Sequence, residues 1–118
     1  MSNEGLHEDK ADISKETRDQ HRALVSLQEE LEAIDLYRQR ADACDNKQLK
    51  AILLHNMREE MEHAAMLIEW LRRSDSDFND HLRNYVFTET PISEKQESTS
   101  VEPETTSNEG RTIGTLKE

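Results

Sequence analysis

The octapeptide EEMEHAAM, running from Glu59 to Met66, decides how this chain folds. It lies in a segment where Leu49, Leu53, Asn56, Glu60, His63, Leu67 and Trp70 recur at steps of three and four, the spacing of one helix face. Glu60 and His63 therefore stand on the side that should be buried. An ionisable group there incurs a desolvation cost unless something compensates it. Upstream, Ala23, Leu27, Glu30, Ile34, Tyr37 and Ala41 follow the same spacing, and Glu30 is the ionisable member of that stripe.

The stretches around the two stripes predict their extent. From Ser14, a good N-cap residue, to about Cys44 there is no Pro or Gly, and Glu, Gln, Leu, Ala and Arg dominate. One helix of roughly 40 Å follows, at a rise of about 1.5 Å per residue. The segment DACDNKQ (42–48) concentrates turn residues, and Asp45 with Gln48 three positions on reads as a capping box that opens a second helix reaching about Arg73. SDSD (74–77) breaks it, with Asp75 or Ser76 as the next cap. FNDHLRNYVF (78–87) then predicts a shorter third helix carrying Phe78, Leu82, Tyr85 and Val86, ended by Pro91. Residues 1–13 read as a flexible N-terminus and 14–91 as the helical body.

Composition narrows the function. The chain has 118 residues and a formal net charge of −11, which argues against a nucleic-acid partner, because phosphate binding needs clustered Lys and Arg, and makes cations the natural partners. Cys44 is the sole cysteine, which rules out an intrachain disulfide and a Cys-based zinc cage and fits a reducing cytoplasm. The acidic start MSNEGLHEDKAD is no secretory signal, and no apolar run is long enough to span a bilayer, so no membrane partner is expected. With 33% hydrophobic, 35% charged and 4% aromatic residues, one copy has little to build a core from. Association between copies is expected.

The carboxylates point the same way. Two long helices joined by a short turn pack antiparallel, and Glu30 and Glu60 lie at comparable distances either side of the turn near Asp45. They should meet at one level. Ionised carboxylates gathered there repel each other and need a cation or a shared proton. Two carboxylates and an imidazole are a normal ligand set for iron, manganese or zinc, and Glu60-x-x-His63 lets one ion take both donors. A di-metal carboxylate bundle uses four helices: one Glu from each of two, and a Glu-x-x-His from each of the other two. This chain supplies one helix of each kind and so encodes half a site. The expected architecture is all-α, an antiparallel two-helix hairpin plus a short C-terminal helix, dimerising about a two-fold axis into a four-helix bundle. His7, His21, His55 and His81 lack an equivalent setting and read as surface or packing residues.

Beyond Ile92 the composition turns to Ser, Thr, Glu, Pro and Lys, too polar to offset chain entropy, so 92–111 reads as a disordered polar linker. Its reach as a tether is roughly 25 Å. The tip RTIGTLKE recovers Ile113 and Leu116 around Gly114, which is either an incidental apolar cluster or a docking peptide.

HRALVSLQEELEAIDLYRQR, AILLHNMREEMEHAAMLIEWLRR and NYVFTETPI closely resemble the encapsulated ferritins, short ferritin-like proteins carried inside encapsulin nanocompartments. The resemblance runs from about His21 to Ile92. It implies a ferritin-like four-helix bundle built by a homodimer, with dimers assembled into a ring of ten chains. It further implies a ferroxidase centre between subunits, holding a pair of irons on Glu30, Glu60 and His63 of both chains, with Glu60 bridging the irons. Glu29 and Glu32 match the family's outer metal-attracting carboxylates, which take other divalent cations too, and Tyr37 matches a tyrosine beside the centre. Leu36 stands where relatives carry a tryptophan, which changes the packing there. TIGTLK resembles the encapsulin-loading peptide, so 112–118 reads as that peptide, with Ile113 and Leu116 as anchors and Gly114 and Lys117 beside them. Thr115 occupies the place of a serine.

The implied function is a ferroxidase that oxidises Fe(II) to Fe(III) for storage by an encapsulin shell in the cytoplasm. Two rivals differ in a measurable way: a di-metal protein that consumes peroxide while iron stays soluble, and a helical interaction module whose metal fixes oligomer state without turnover.

Overall fold

The structure, a computed structural model, describes residues 5–95. Its described residues are helical and contain no strand. Helix α1 spans Lys15–Asp42, α2 spans Lys47–Ser74, and α3 spans Ser76–Tyr85. The chain divides after Ser74 into two units, the first holding α1 and α2, the second α3.

α1 starts where its cap residue allows. Ser14 is extended, and its Oγ accepts from the Thr17 N–H at 3.1 Å, satisfying one of the orphan donors of the first turn. Ahead of it, in the stretch expected to be flexible, Lys10–Asp12 form a 3-10 turn. Arg18 reaches back from α1 to donate to the carbonyls of Ile13 at 2.8 Å and Lys10 at 3.1 Å.

The tip of the hairpin corrects one expectation. Asn46, not Asp45, caps α2: its Oδ1 accepts from the Leu49 N–H at 2.9 Å, and its carbonyl accepts from Lys50 N–H. The helix therefore opens one residue later than a capping box of Asp45 and Gln48 requires. Either side chain could serve as a cap, and the path of the turn selected the second.

α1 and α2 pack as an antiparallel pair. Their register follows from two contacts, Glu30 beside His63 and, at the open end, Gln20 Nε2 donating to the Ser74 carbonyl at 3.4 Å. Ten residues back along α1 thus match eleven forward along α2, as two straight helices with a common rise require. The seam between them is narrow. Ala23, Ala41, Met57, Ala64 and Leu71 are buried, and among the described residues no large side chain is completely so. Leu49, Ile52 and Trp70 stay exposed on the flank that carries His63, and Leu24, Leu31 and Met61 on the opposite flank. Exposed apolar area on both sides of a helix pair is area awaiting a partner.

In the second unit, Asp75 caps α3, its Oδ1 accepting from Asp77 N–H at 2.9 Å and Phe78 N–H at 3.3 Å. The helix ends earlier than expected. Val86 N–H still donates to the Leu82 carbonyl at 2.8 Å, but Phe87 adopts the left-handed region with φ +60°, the position glycine usually takes after a helix. Thr88 Oγ1 then donates to the Tyr85 carbonyl at 3.0 Å. The chain has turned away before Pro91, which therefore does not terminate α3. A second 3-10 turn covers Ile92–Glu94, and the Tyr85 hydroxyl donates to the Lys95 carbonyl at 3.4 Å.

Candidate metal centre

Three side chains converge midway along the hairpin. Glu30 comes from α1, and Glu60 and His63 come from consecutive turns of α2. His63 Nδ1 lies 3.3 Å from Glu60 Oε1 and 3.4 Å from Glu30 Oε1. One donor atom from each residue falls within 4.8 Å of the other two, and this is the one cluster of three such groups among the described residues. The side chains keep 25%, 24% and 42% of their surface exposed for Glu30, Glu60 and His63, so the cluster opens onto the flank of the hairpin.

The three groups shift one another's protonation. Glu30 is held above the usual carboxylate range, first by its hydrogen bond to Glu60 and then by burial, against the opposing pull of His63. Glu60 is held below that range by the same hydrogen bond, with help from His63. Of the two carboxylates, Glu30 is therefore the one that keeps a proton longer as pH rises. Burial by itself would lower the imidazole of His63, but both carboxylates together raise it above its ordinary value of 6.5. When protonated, His63 offers its Nδ1–H to both acids, so a proton occupies the place where a metal would meet three lone pairs. Two carboxylate oxygens and one imidazole nitrogen suit iron, manganese or zinc.

Glu29 and Glu32 are exposed and lie outside this cluster. Tyr37 is half-buried, two turns along α1 from Glu30, and the Arg40 guanidinium sits 5.7 Å from its ring centroid. Leu36 beside it is exposed. Ile113, Gly114, Leu116 and Lys117 lie outside the described residues. His55 faces Glu59 at 3.9 Å on the exposed surface, and His21 packs against Gly5.

The sequence reading did not single out an ion-pair cluster near the end of α2. Glu69 binds Arg72 at 2.8 and 2.7 Å and Arg73 at 2.6 Å, which draws its carboxyl down to about 2. The signal was present in the i, i+3 and i, i+4 charge spacing.

The EncFtn-like family model matches residues 5–89. The chain belongs to the EncFtn-like family. It is 50% identical over 110 residues to the encapsulated ferritin-like protein of Rhodospirillum rubrum, covering 93% of this chain and 74% of that one. A ferritin-like protein of Thermotoga maritima is 48% identical over 94 residues, 80% of this chain and 82% of its own. The encapsulin nanocompartment cargo protein EncC of Myxococcus xanthus shares 44% over 62 residues, 52% of this chain and 48% of its own. A crystal structure of a protein from Nitrosomonas europaea superposes with a TM-score of 0.71 at 59% identity, over 75% of this chain and 97% of that one. Among the described residues of this EncFtn-like chain, no helix is long and apolar enough to cross a membrane.

Proposed function

We propose that the chain is a ferroxidase whose centre is completed by a second copy of itself, and that it works as cargo inside an encapsulin nanocompartment in the cytoplasm. The observation that carries this reading is the convergence of Glu30, Glu60 and His63 from two helices into half the ligand set of a di-metal carboxylate bundle. Iron is the substrate. A two-fold axis through the metal pair sets two triads face to face, with Glu60 bridging the ions and Glu30 and His63 completing each sphere. Two Fe(II) give up one electron each, and dioxygen with two protons becomes hydrogen peroxide, or a peroxide becomes water. Hard carboxylate oxygens favour the higher iron charge and so ease the oxidation.

The thin seam of the hairpin supports association, because the exposed apolar residues beside the triad need covering. Leu24, Leu31 and Met61 on the opposite flank supply a second surface, and two surfaces of self-association close a ring where their rotations match, a ring which we take to hold ten chains. Glu29 and Glu32 concentrate cations near the centre, and Tyr37 stands beside it in the assembled bundle. The names of the R. rubrum and M. xanthus relatives favour residence in an encapsulin shell, and Ile113, Gly114, Leu116 and Lys117 are the residues we assign to docking on it. The shell stores what the ring oxidises.

Glu60→Ala and His63→Ala test the assignment. Each should reduce aerobic Fe(II) oxidation, followed by ferric absorbance, to the rate of protein-free buffer, and wild-type rates in both variants would sink it.

A further inference from the structure

Two polar side chains on the triad's flank have no role in the metal chemistry. Ser26 stands one turn before Glu30 on α1, and Asn56 stands one turn before Glu60 and two before His63 on α2. The i, i+4 and i, i+7 spacings put each on the same flank as the ligands. Both are half-buried already, and among the described residues neither side chain has a hydrogen-bond partner. A mid-helix serine can return its hydroxyl to the carbonyl four residues back, but Ser26 does not. When a second hairpin covers this flank, a hydroxyl and a carboxamide lose water, which is unfavourable unless each gains a partner there.

The antiparallel register says where those partners stand. Ser26 lies about 6 Å from the level of Glu30 toward the open end, and Asn56 about 6 Å from the level of Glu60 toward the turn. They sit on opposite sides of the metal level within one chain. A two-fold axis through that level, perpendicular to the helices, exchanges open end and turn. It brings Asn56 of one copy level with Ser26 of the second copy, twice, once on each side of the metal pair.

We propose that Asn56 of each copy hydrogen-bonds Ser26 of the second copy, and that these two polar pairs set the sliding register of the hairpins that a shared metal centre demands. This rests on the two-fold dimer proposed above. The apolar residues of the flank tolerate a shift of one turn, since Leu against Ile packs much as Leu against Trp does. A shift of one turn separates both polar pairs at once and leaves four unpaired groups. A single buried polar contact that selects one register among several apolar alternatives is a known device of helix association.

Cross-linking tests the pair without relying on activity. Cys44→Ser removes the native thiol, and two separate chains then carry Ser26→Cys or Asn56→Cys. They are mixed anaerobically with Fe(II), exchanged into metal-free buffer with a mild disulfide oxidant, and run on a non-reducing gel beside native mass measurement. A disulfide-linked dimer formed by the mixture, but not by either chain alone, is the expected result. Mixtures of Ser26→Cys with Leu49→Cys, two turns off along α2, should give at most a trace. Dimers by native mass with no Ser26–Asn56 disulfide would overturn the pairing while leaving the dimer standing. Monomers throughout would overturn the dimer itself and the pairing with it. In a chain retaining Cys44, Asn56→Leu with Ser26→Ala should preserve the dimer but loosen its register. Each neutral hydrogen bond is worth roughly fivefold in an equilibrium constant, so replacing Asn56 alone by Ala should weaken dimerisation about twenty-five-fold for the two symmetric pairs.

Discussion

Metal binding at the proposed site of Glu30, Glu60 and His63 should expel whatever protons these groups hold, so the number released depends on pH. At low pH Glu30, whose carboxyl is raised, holds a proton in its hydrogen bond to Glu60, and protonated His63 holds a second on Nδ1 between the two acids. A metal ion needs all three lone pairs, so below the raised pKa of Glu30 two protons leave per ion. Between that value and the raised pKa of His63, one leaves. Above the latter none does. Each proton makes affinity rise by up to about tenfold per pH unit below its pKa, so Fe(II) binding should strengthen roughly five- to tenfold from about pH 5.5 to 6.5. The sign is positive throughout, and because His63 lies above its ordinary 6.5, the plateau begins above that pH. Anaerobic titration calorimetry in two buffers of different ionisation enthalpy measures the released protons directly. His63→Gln should bind more weakly at every pH and lose one proton from the count, flattening the curve around neutrality. Affinity independent of pH in the wild type across that interval, or an unchanged proton count in His63→Gln, would refute the reasoning.

Other expectations concern the frame and the tail. Asn46→Ala should cost about 1 kcal/mol and lower Tm by several degrees, whereas Asp45→Ala should leave Tm unchanged. Glu69→Gln should lower stability by an amount that is steady above pH 4.5 and shrinks as pH falls toward about 2, because a carboxylate with depressed pKa stabilises only while ionised. Thermal melts across that range check it. Truncation after Asn108 should abolish co-purification with a coexpressed encapsulin shell while aerobic Fe(II) oxidation continues at the wild-type rate.

Much of the helix layout was legible because its causes are local. Ser14 and Asp75 are caps whose side chains bond residues two or three positions away, and a chain reader sees both partners at once. The triad was legible for a related reason. A period of 3.6 residues puts Glu30, and not Glu29 or Glu32, on the seam of α1, and the same period puts Glu60 and His63 on one face of α2. The end of α3 was less so. Pro91 is the conspicuous helix breaker, but the helix stops where Phe87 turns left-handed and Thr88 takes a carbonyl, a local choice between conformations of similar energy that composition does not rank.

The sequence by itself determined that the described body is helical, that it turns between two long helices, and which three ionisable groups stand on the facing stripes of those helices. Only the tertiary structure decided the register of α1 against α2, the Nδ1 atom of His63 as the one that meets both acids, and the opposite shifts of the Glu30 and Glu60 carboxyls. It also showed how little a single hairpin buries. The reason is distance along the chain: periodicity and capping act within a few residues, whereas charge sharing between Glu30 and Glu60 depends on ångström-scale placement of groups thirty positions apart.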